Sequence, residues 1–166
     1  MKTSVFAAVL AAFVTGFAAY GQAEELGPVT NLPIPRFVSM KANEGNVRRG
    51  PSLSHRIDWV YRRKDLPLII TAEYGHWRRI EDRDGQGGWV HYALLSGVRT
   101  VLVESETATM HALPDAGAPE VAVLKRGVVV RIDECIPAWC RIYKAGYAGW
   151  VDKANLWGVL PGEIIE

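Results

Sequence analysis

The sequence predicts an all-β protein, two small β-barrels in tandem behind an N-terminal signal peptide. Three features carry that expectation. The chain repeats itself, with "HWRRIEDRDGQGGWVHYALL" at 76–95 returning as "AWCRIYKAGYAGWVDKANLW" at 138–157. Its apolar residues alternate in short runs that end in turn residues, as in "GVVVRID" and "WRRIED". Finally, no stretch beyond residue 23 carries a sustained helical stripe.

The first element is the leader. Lys2 precedes an apolar run from Val5 to Tyr20, and the small residues of "GQA" precede the acidic Glu24 and Glu25. This is the order of charge, hydrophobic stretch and small-residue cut that exported chains carry, with the cut after Ala23. A retained anchor fits less well, because the run is barely long enough to span a bilayer and Gly16 interrupts it. The rest divides into an N-terminal linker (24–37), a first unit (38–97), a second unit (98–160) and a tail (161–166).

Composition narrows the partners. With 49% hydrophobic and 22% charged residues the chain belongs with ordinary globular proteins. Of its 19 basic and 18 acidic residues, only Lys2 lies in the leader, so the exported part has zero formal charge. No global field is left to recruit nucleic acid or an anionic membrane surface, and stable membrane insertion after cleavage is not expected. Residues 40–97 hold ten Lys/Arg against seven Asp/Glu, and residues 101–160 hold six against seven. Any anion preference is therefore expected in the first half.

Internal alignment defines the units. Val47, Pro51, Val60 and Ile69 fall on Met110, Pro114, Val123 and Ile132 at an offset of 63. Trp77 and Ile80 match Trp139 and Ile142 at 62, and Trp89, Val90, Ala93, Leu95 and Gly97 match Trp150, Val151, Ala154, Leu156 and Gly158 at 61. Each drop is one residue lost in a turn. The echo is thus the closing hairpin of each unit. Closure into a barrel is one way for so small a sheet to avoid exposed edges. Gly88 and Gly149 permit close backbone approach before the last long strand. Trp77 and Trp89 stand an odd number of positions from Ile80 and Val90, so they face away from those core residues.

"NVRRGPS", an apolar strand, "GHWRRI", a glycine turn and "GWVHYALLSG" resemble the bacterial SH3-like (SH3b) family of small β-barrel modules. The second unit keeps "VAVLKRG", "WCRI" and "AGWVDKANLWG" but has Thr109-Met110-His111-Ala112-Leu113-Pro114 where the first has Asn46-Val47-Arg48-Arg49-Gly50-Pro51. The resemblance implies a periplasmic or secreted, non-catalytic binding module of the cell envelope, whose partner is peptidoglycan or a wall-associated protein. A periplasmic adaptor that binds an extended peptide is the alternative. A Cys/His cell-wall peptidase is the third reading.

The candidate ligand-binding residues are Arg48, Arg49, Tyr61, Trp77, Trp89 and Tyr92. The tryptophans either cover the outer face by packing or form a shallow aromatic groove for a sugar or peptide plane. The paired arginines either guard edges or supply a carboxylate-binding fork. Adjacent strand residues point to opposite faces, so each arginine pair splits.

Cys135 and Cys140 do not have zinc-site spacing, no second Cys/His pair exists, and His55, His76, His91 and His111 are scattered. Neither cysteine lies in the context of an activated nucleophile. A disulfide across a hairpin suits an exported chain. Glu81, Asp82 and Asp84 beside a glycine turn are turn formers. "GQGG" lacks the strand-to-helix setting of a phosphate loop, so neither metal nor cofactor is expected.

Overall fold

The computed structural model describes residues 25–166. The signal peptide expected over residues 1–23 lies outside the described residues.

The first unit contains β1 (Arg36–Met40), β2 (Gly45–Arg48), β3 (Ile57–Tyr61), β4 (Pro67–Tyr74), β5 (Trp77–Glu81), β6 (Gly87–His91) and β7 (Leu95–Ser96). The second repeats the plan with β8 (Thr100–Val103), β9 (Thr107–His111), β10 (Glu120–Lys125) and β11 (Val129–Cys135). It ends with β12 (Trp139–Lys144), β13 (Tyr147–Asp152) and β14 (Leu156–Trp157). Each is a seven-stranded sheet, ordered β3-β2-β6-β5-β4-β1-β7 and β10-β9-β13-β12-β11-β8-β14. The all-β tandem predicted from sequence is present. Among the described residues no ladder joins the two ends of either sheet. The expected barrel is thus an open curled sheet whose end strands share a core: Tyr61 on one and Leu95 on the other pack with Met40, Val47, Ile80 and Val90. The equivalent core of the second unit contains Val101, Met110, Ile142 and Val151.

Two glycines allow the tight curl. A Cβ on Gly88, which has φ +152°, would lie 2.7 Å from the Arg48 carbonyl oxygen, and one on Gly149 would lie 2.7 Å from that of His111. A short 3-10 turn follows each closing strand, capped by the His91 side chain, which accepts from the Ala93 amide, or by Asp152, which accepts from that of Ala154.

The register corrects one part of the internal alignment. Ile70, not Ile69, pairs with Ile80 as Ile132 pairs with Ile142, so the offset is already 62 at this point. The residue is lost in the turn between β3 and β4, upstream of a β-bulge that both units share, between Ile70 and Ala72 and between Ile132 and Glu134. The first-unit counterpart of Cys135 is therefore Glu73, not Ala72, and it faces Arg78 as Cys135 faces Cys140. The disulfide is formed, and its counterpart is a Glu73–Arg78 ion pair with Nε to Oε1 3.4 Å.

Glu73 also holds the segment expected to be a linker. Its fully buried carboxylate accepts from the Val29 and Thr30 amides at 3.1 and 2.9 Å, the Thr30 hydroxyl at 2.7 Å and Arg36 Nη2 at 2.7 Å. A carboxylate cannot lose water without such donors, so residues 27–30 are fastened to the sheet. The tail is fastened too, because Ile165 and Cys135 exchange backbone hydrogen bonds at 2.8 and 3.0 Å.

The connection between units is short and packed. Ser39 Oγ donates to the Val98 carbonyl at 2.7 Å, and the Phe37 and Trp157 rings meet edge-on at 5.2 Å. Arg99 lies over the Phe37 ring and donates to both Glu163 carboxylate oxygens at 2.7 and 3.1 Å. Arg83 Nε pairs with Glu104 Oε1 at 2.6 Å. These contacts bind units, connection and tail together.

Two stability outcomes follow from this arrangement. Replacing Cys135 and Cys140 by serine opens a ring with a sequence separation of 5. By loop entropy this lowers unfolding free energy by about 2 kcal/mol in urea titration. A midpoint that dithiothreitol leaves unchanged would sink that account. Burial alone would push the Glu73 carboxyl up, but the bonds from Thr30, Arg36 and the Val29 amide outweigh it and hold it at about 2, below its ordinary 4.5. Because the folded value is depressed, the stabilisation of about 3 kcal/mol is complete above the unfolded value and is lost as pH falls through the folded one. Glu73→Gln should remove this contribution to the acid sensitivity between pH 4.5 and 2.

Candidate functional site

The outer face of the first unit is built across β2, β6 and β5. Alternation on β5 turns Arg78 and Ile80 inward and Trp77 and Arg79 outward, as their burial shows. Directly opposed residues share a face. Arg48 opposes Trp89 and Trp89 opposes Arg79, so one row reads arginine, tryptophan, arginine. In the adjoining row Trp77 opposes His91, with rings edge-on at 5.7 Å. His91 stacks on Tyr92 at 4.9 Å, and His76 lies 5.7 Å from Tyr92. Arg78 reaches out beneath this cluster, its guanidinium 5.9 Å from the Tyr92 ring centre.

The six candidates from sequence therefore separate. Trp77, Trp89, Tyr92 and Arg48 belong to this face. The Arg48 head is partly engaged, since Nη1 donates to the Leu53 and His55 carbonyls at 3.1 and 2.6 Å and pins the turn before β3. Arg49 points elsewhere and pairs with Asp58 at 3.0 Å. The hydrogen bonds from Arg49 and Arg56 hold the Asp58 carboxyl below its ordinary range. Tyr61 is buried, so it is absent from the exposed groove. Its hydroxyl donates to Asp82 Oδ2 at 3.0 Å and the Gln86 carbonyl at 2.8 Å, and burial followed by the Asp82 charge pushes the phenol above its ordinary value. Asp82 is a turn former as expected, its other oxygen accepting from the Asp84 and Gln86 amides.

Arg79, His76 and His91 complete the face but were not among the candidates. Arg79 was legible, because strand alternation places it on the side of Trp77. Its significance depends on the register, which opposes it to Ala72. Among the described residues it has no carboxylate within ion-pair distance. The second unit repeats the row as His111, Trp150 and Arg141, but there the arginine faces acids. Arg141 lies 3.3 Å from Asp133 and 3.9 Å from Glu134, and Asp152 stands opposite Trp139 where the first unit has His91. His111 is buried against Trp139 and its Nδ1 lies 3.0 Å from the Ala118 carbonyl.

The face can stack on a planar group and offer a free guanidinium fork to a carboxylate. Among the described residues there is no group of three or more His, Cys, Asp or Glu side chains able to hold a metal ion. Both cysteines are joined to each other. No helix of the described residues is long and apolar enough to cross a membrane.

Two similar curled sheets, each closed by a Gly-Trp-Val strand and a 3-10 turn, define a tandem of small β modules. The sequence model of the bacterial SH3 domain family matches residues 41–97 and again residues 104–158, and the chain belongs to that family. No curated protein matches the chain. Among solved structures, NlpC2 of Trichomonas vaginalis is similar at 14% identity with a TM-score of 0.35, over 74% of this chain and 48% of that one. NlpC1 of the same organism is similar at 14% identity and a TM-score of 0.35, over 79% of this chain and 48% of its own. This chain thus spans about half the length of those structures.

Tyr61→Phe isolates the structural role of that residue. It removes the donor to Asp82 and Gln86 and should cost about 1–3 kcal/mol in a urea titration. A stability equal to that of the parent protein would show that the Tyr61 hydroxyl does not hold the turn.

Proposed function

We propose that this chain is a non-catalytic binding module of the bacterial cell envelope, exported by its leader to the periplasm or beyond, and that it recognises peptidoglycan or a protein bound to it. Membership of the bacterial SH3 domain family supports the envelope setting. The observation that carries the choice of surface is the Arg48–Trp89–Arg79 row of the first unit, where Arg79 stands opposite Ala72 and keeps its charge free. A stem peptide linked to a glycan offers both a carboxylate for that fork and flat surfaces for Trp89, Trp77 and Tyr92. The Cys135–Cys140 bond counts against the Cys/His peptidase, which would need a free thiol.

The adaptor reading has its own support. β3 is an end strand of the first sheet, and its Ile57 and Trp59 are exposed, which suits addition of an extended peptide along that edge.

Sedimentation with purified sacculi tests the proposal. Arg79→Ala and Trp89→Ala should each weaken retention by about 1–3 kcal/mol, and Trp150→Ala by much less, each variant being checked for folding by circular dichroism. No retention of the parent protein, or equal losses from both units, would overturn the assignment. Recovery of a protein partner without sacculus binding, lost on Trp59→Ala, would favour the edge-strand adaptor.

A further inference from the structure

The two units meet across a cleft that neither could form alone. One wall is the turn between β3 and β4, with Arg63, Lys64 and Asp65; the other is the β11–β12 hairpin, with Arg131, Tyr143 and Lys144. The cleft has a volume of about 270 Å³ and is lined by four cations against one carboxylate, an excess of three positive charges. Sequence alone assigned any anion preference to the first half, but half of these cations come from the second.

Their hydrogen bonds leave that charge available. Arg63 Nη2 donates to the Gly127 carbonyl at 2.8 Å and Lys144 Nζ to the Val129 carbonyl at 2.9 Å, so both are held in place by neutral acceptors. Among the described residues, Lys64 and Arg131 have no carboxylate within ion-pair distance, and both are exposed. Arg131 lies in one cross-strand row with Thr100 on β8 and Tyr143 on β12. The buried Thr100 hydroxyl donates to the Asp65 carbonyl at 2.8 Å, which fixes one wall to the other. Like charges gathered around a concave wall focus a positive potential, and a bound anion would relieve their repulsion.

We propose that this interdomain cleft is a binding site for a phosphate-bearing anion, of pyrophosphate or phosphomonoester type. An excess of three charges suits a ligand carrying two or more negative charges better than a single carboxylate. Guanidinium, ammonium and phenol donors reaching in from both walls suit a tetrahedral oxyanion better than a planar one. The site is separate from the aromatic face of the first unit and does not depend on the function proposed for it.

Isothermal titration of the purified protein with inorganic pyrophosphate, and with acetate for comparison, tests the site. Pyrophosphate should bind at least tenfold more tightly than acetate. The double substitution Lys64→Gln and Arg131→Gln, both at exposed positions, should weaken it at least tenfold at unchanged thermal stability. Trp89→Ala should leave pyrophosphate binding as it was. Sedimentation with phosphatidic acid vesicles separates the two sources of the phosphate. Pyrophosphate binding without pelleting assigns a soluble anion, and both together assign a lipid headgroup. Absence of pyrophosphate binding, pelleting without it, or a double variant that binds as tightly as the parent would overturn the proposal.

Discussion

A single rung of each β-hairpin, just beyond a bulge, governs how these small sheets are finished. In the first unit it is Glu73 opposite Arg78; in the second, Cys135 opposite Cys140. A sheet of this size buries little apolar surface, and its open end needs a tie stronger than another methyl contact. The second unit uses a covalent bond. The first uses a buried carboxylate surrounded by two guanidiniums, a hydroxyl and two amides. Desolvating that carboxylate is worthwhile only because every donor is present, and some of the donors come from the N-terminal segment. The segment and the rung are consequently joined, since residues 29 and 30 supply three of the carboxylate's donors. The same position organises the other end of the chain, where Ile165 pairs with the backbone of Cys135.

Between these ends, Arg99 joins what the two rungs do not reach. Its guanidinium contacts the Phe37 ring, the Gly158 carbonyl and the Glu163 carboxylate, so a single side chain of the connection touches the first unit, the second unit and the tail. Lys153 adds a second tie to the tail by donating to the Glu163 carbonyl, and burial of its ammonium lowers its proton affinity. A connection rich in apolar residues and held in this way transmits orientation from one sheet to the next. With the units joined by these contacts, residues on separate modules line a common cleft.

The repeat, the strand alternation and the glycine before each closing tryptophan were legible because each is a local requirement with a local signature. Ile80, Val90, Ile142 and Val151 are buried where the period of two places them. What escaped was whatever depends on register. The turn before β4 differs in length between the units without any mark in the strands themselves, so Ala72 looked equivalent to Cys135 and the Glu73–Arg78 pair was invisible. Tyr61 looked like a groove residue because the pattern of a strand does not reveal that its hydroxyl is needed by a turn 21 residues away. The terminal segments read as linker and tail for a similar reason: their donors and acceptors make sense only once Glu73 and Cys135 are in position.

The two outer faces differ in a way that the two cores do not. Met110 replaces Val47 and the fold absorbs the change, since both are fully buried and apolar. On the outer face, Ala72 becomes Glu134, Thr71 becomes Asp133 and His91 becomes Asp152, and the same arginine position passes from free to paired. These residues contribute little to the core, so their substitution is nearly free of a folding penalty, whereas Gly88 and Val90 have no such latitude. Stability in this architecture is concentrated on the inward residues and the clasped rung, and binding chemistry can vary on the outward ones. A tandem of such modules can therefore keep one fold while presenting two surfaces of opposite electrostatic character.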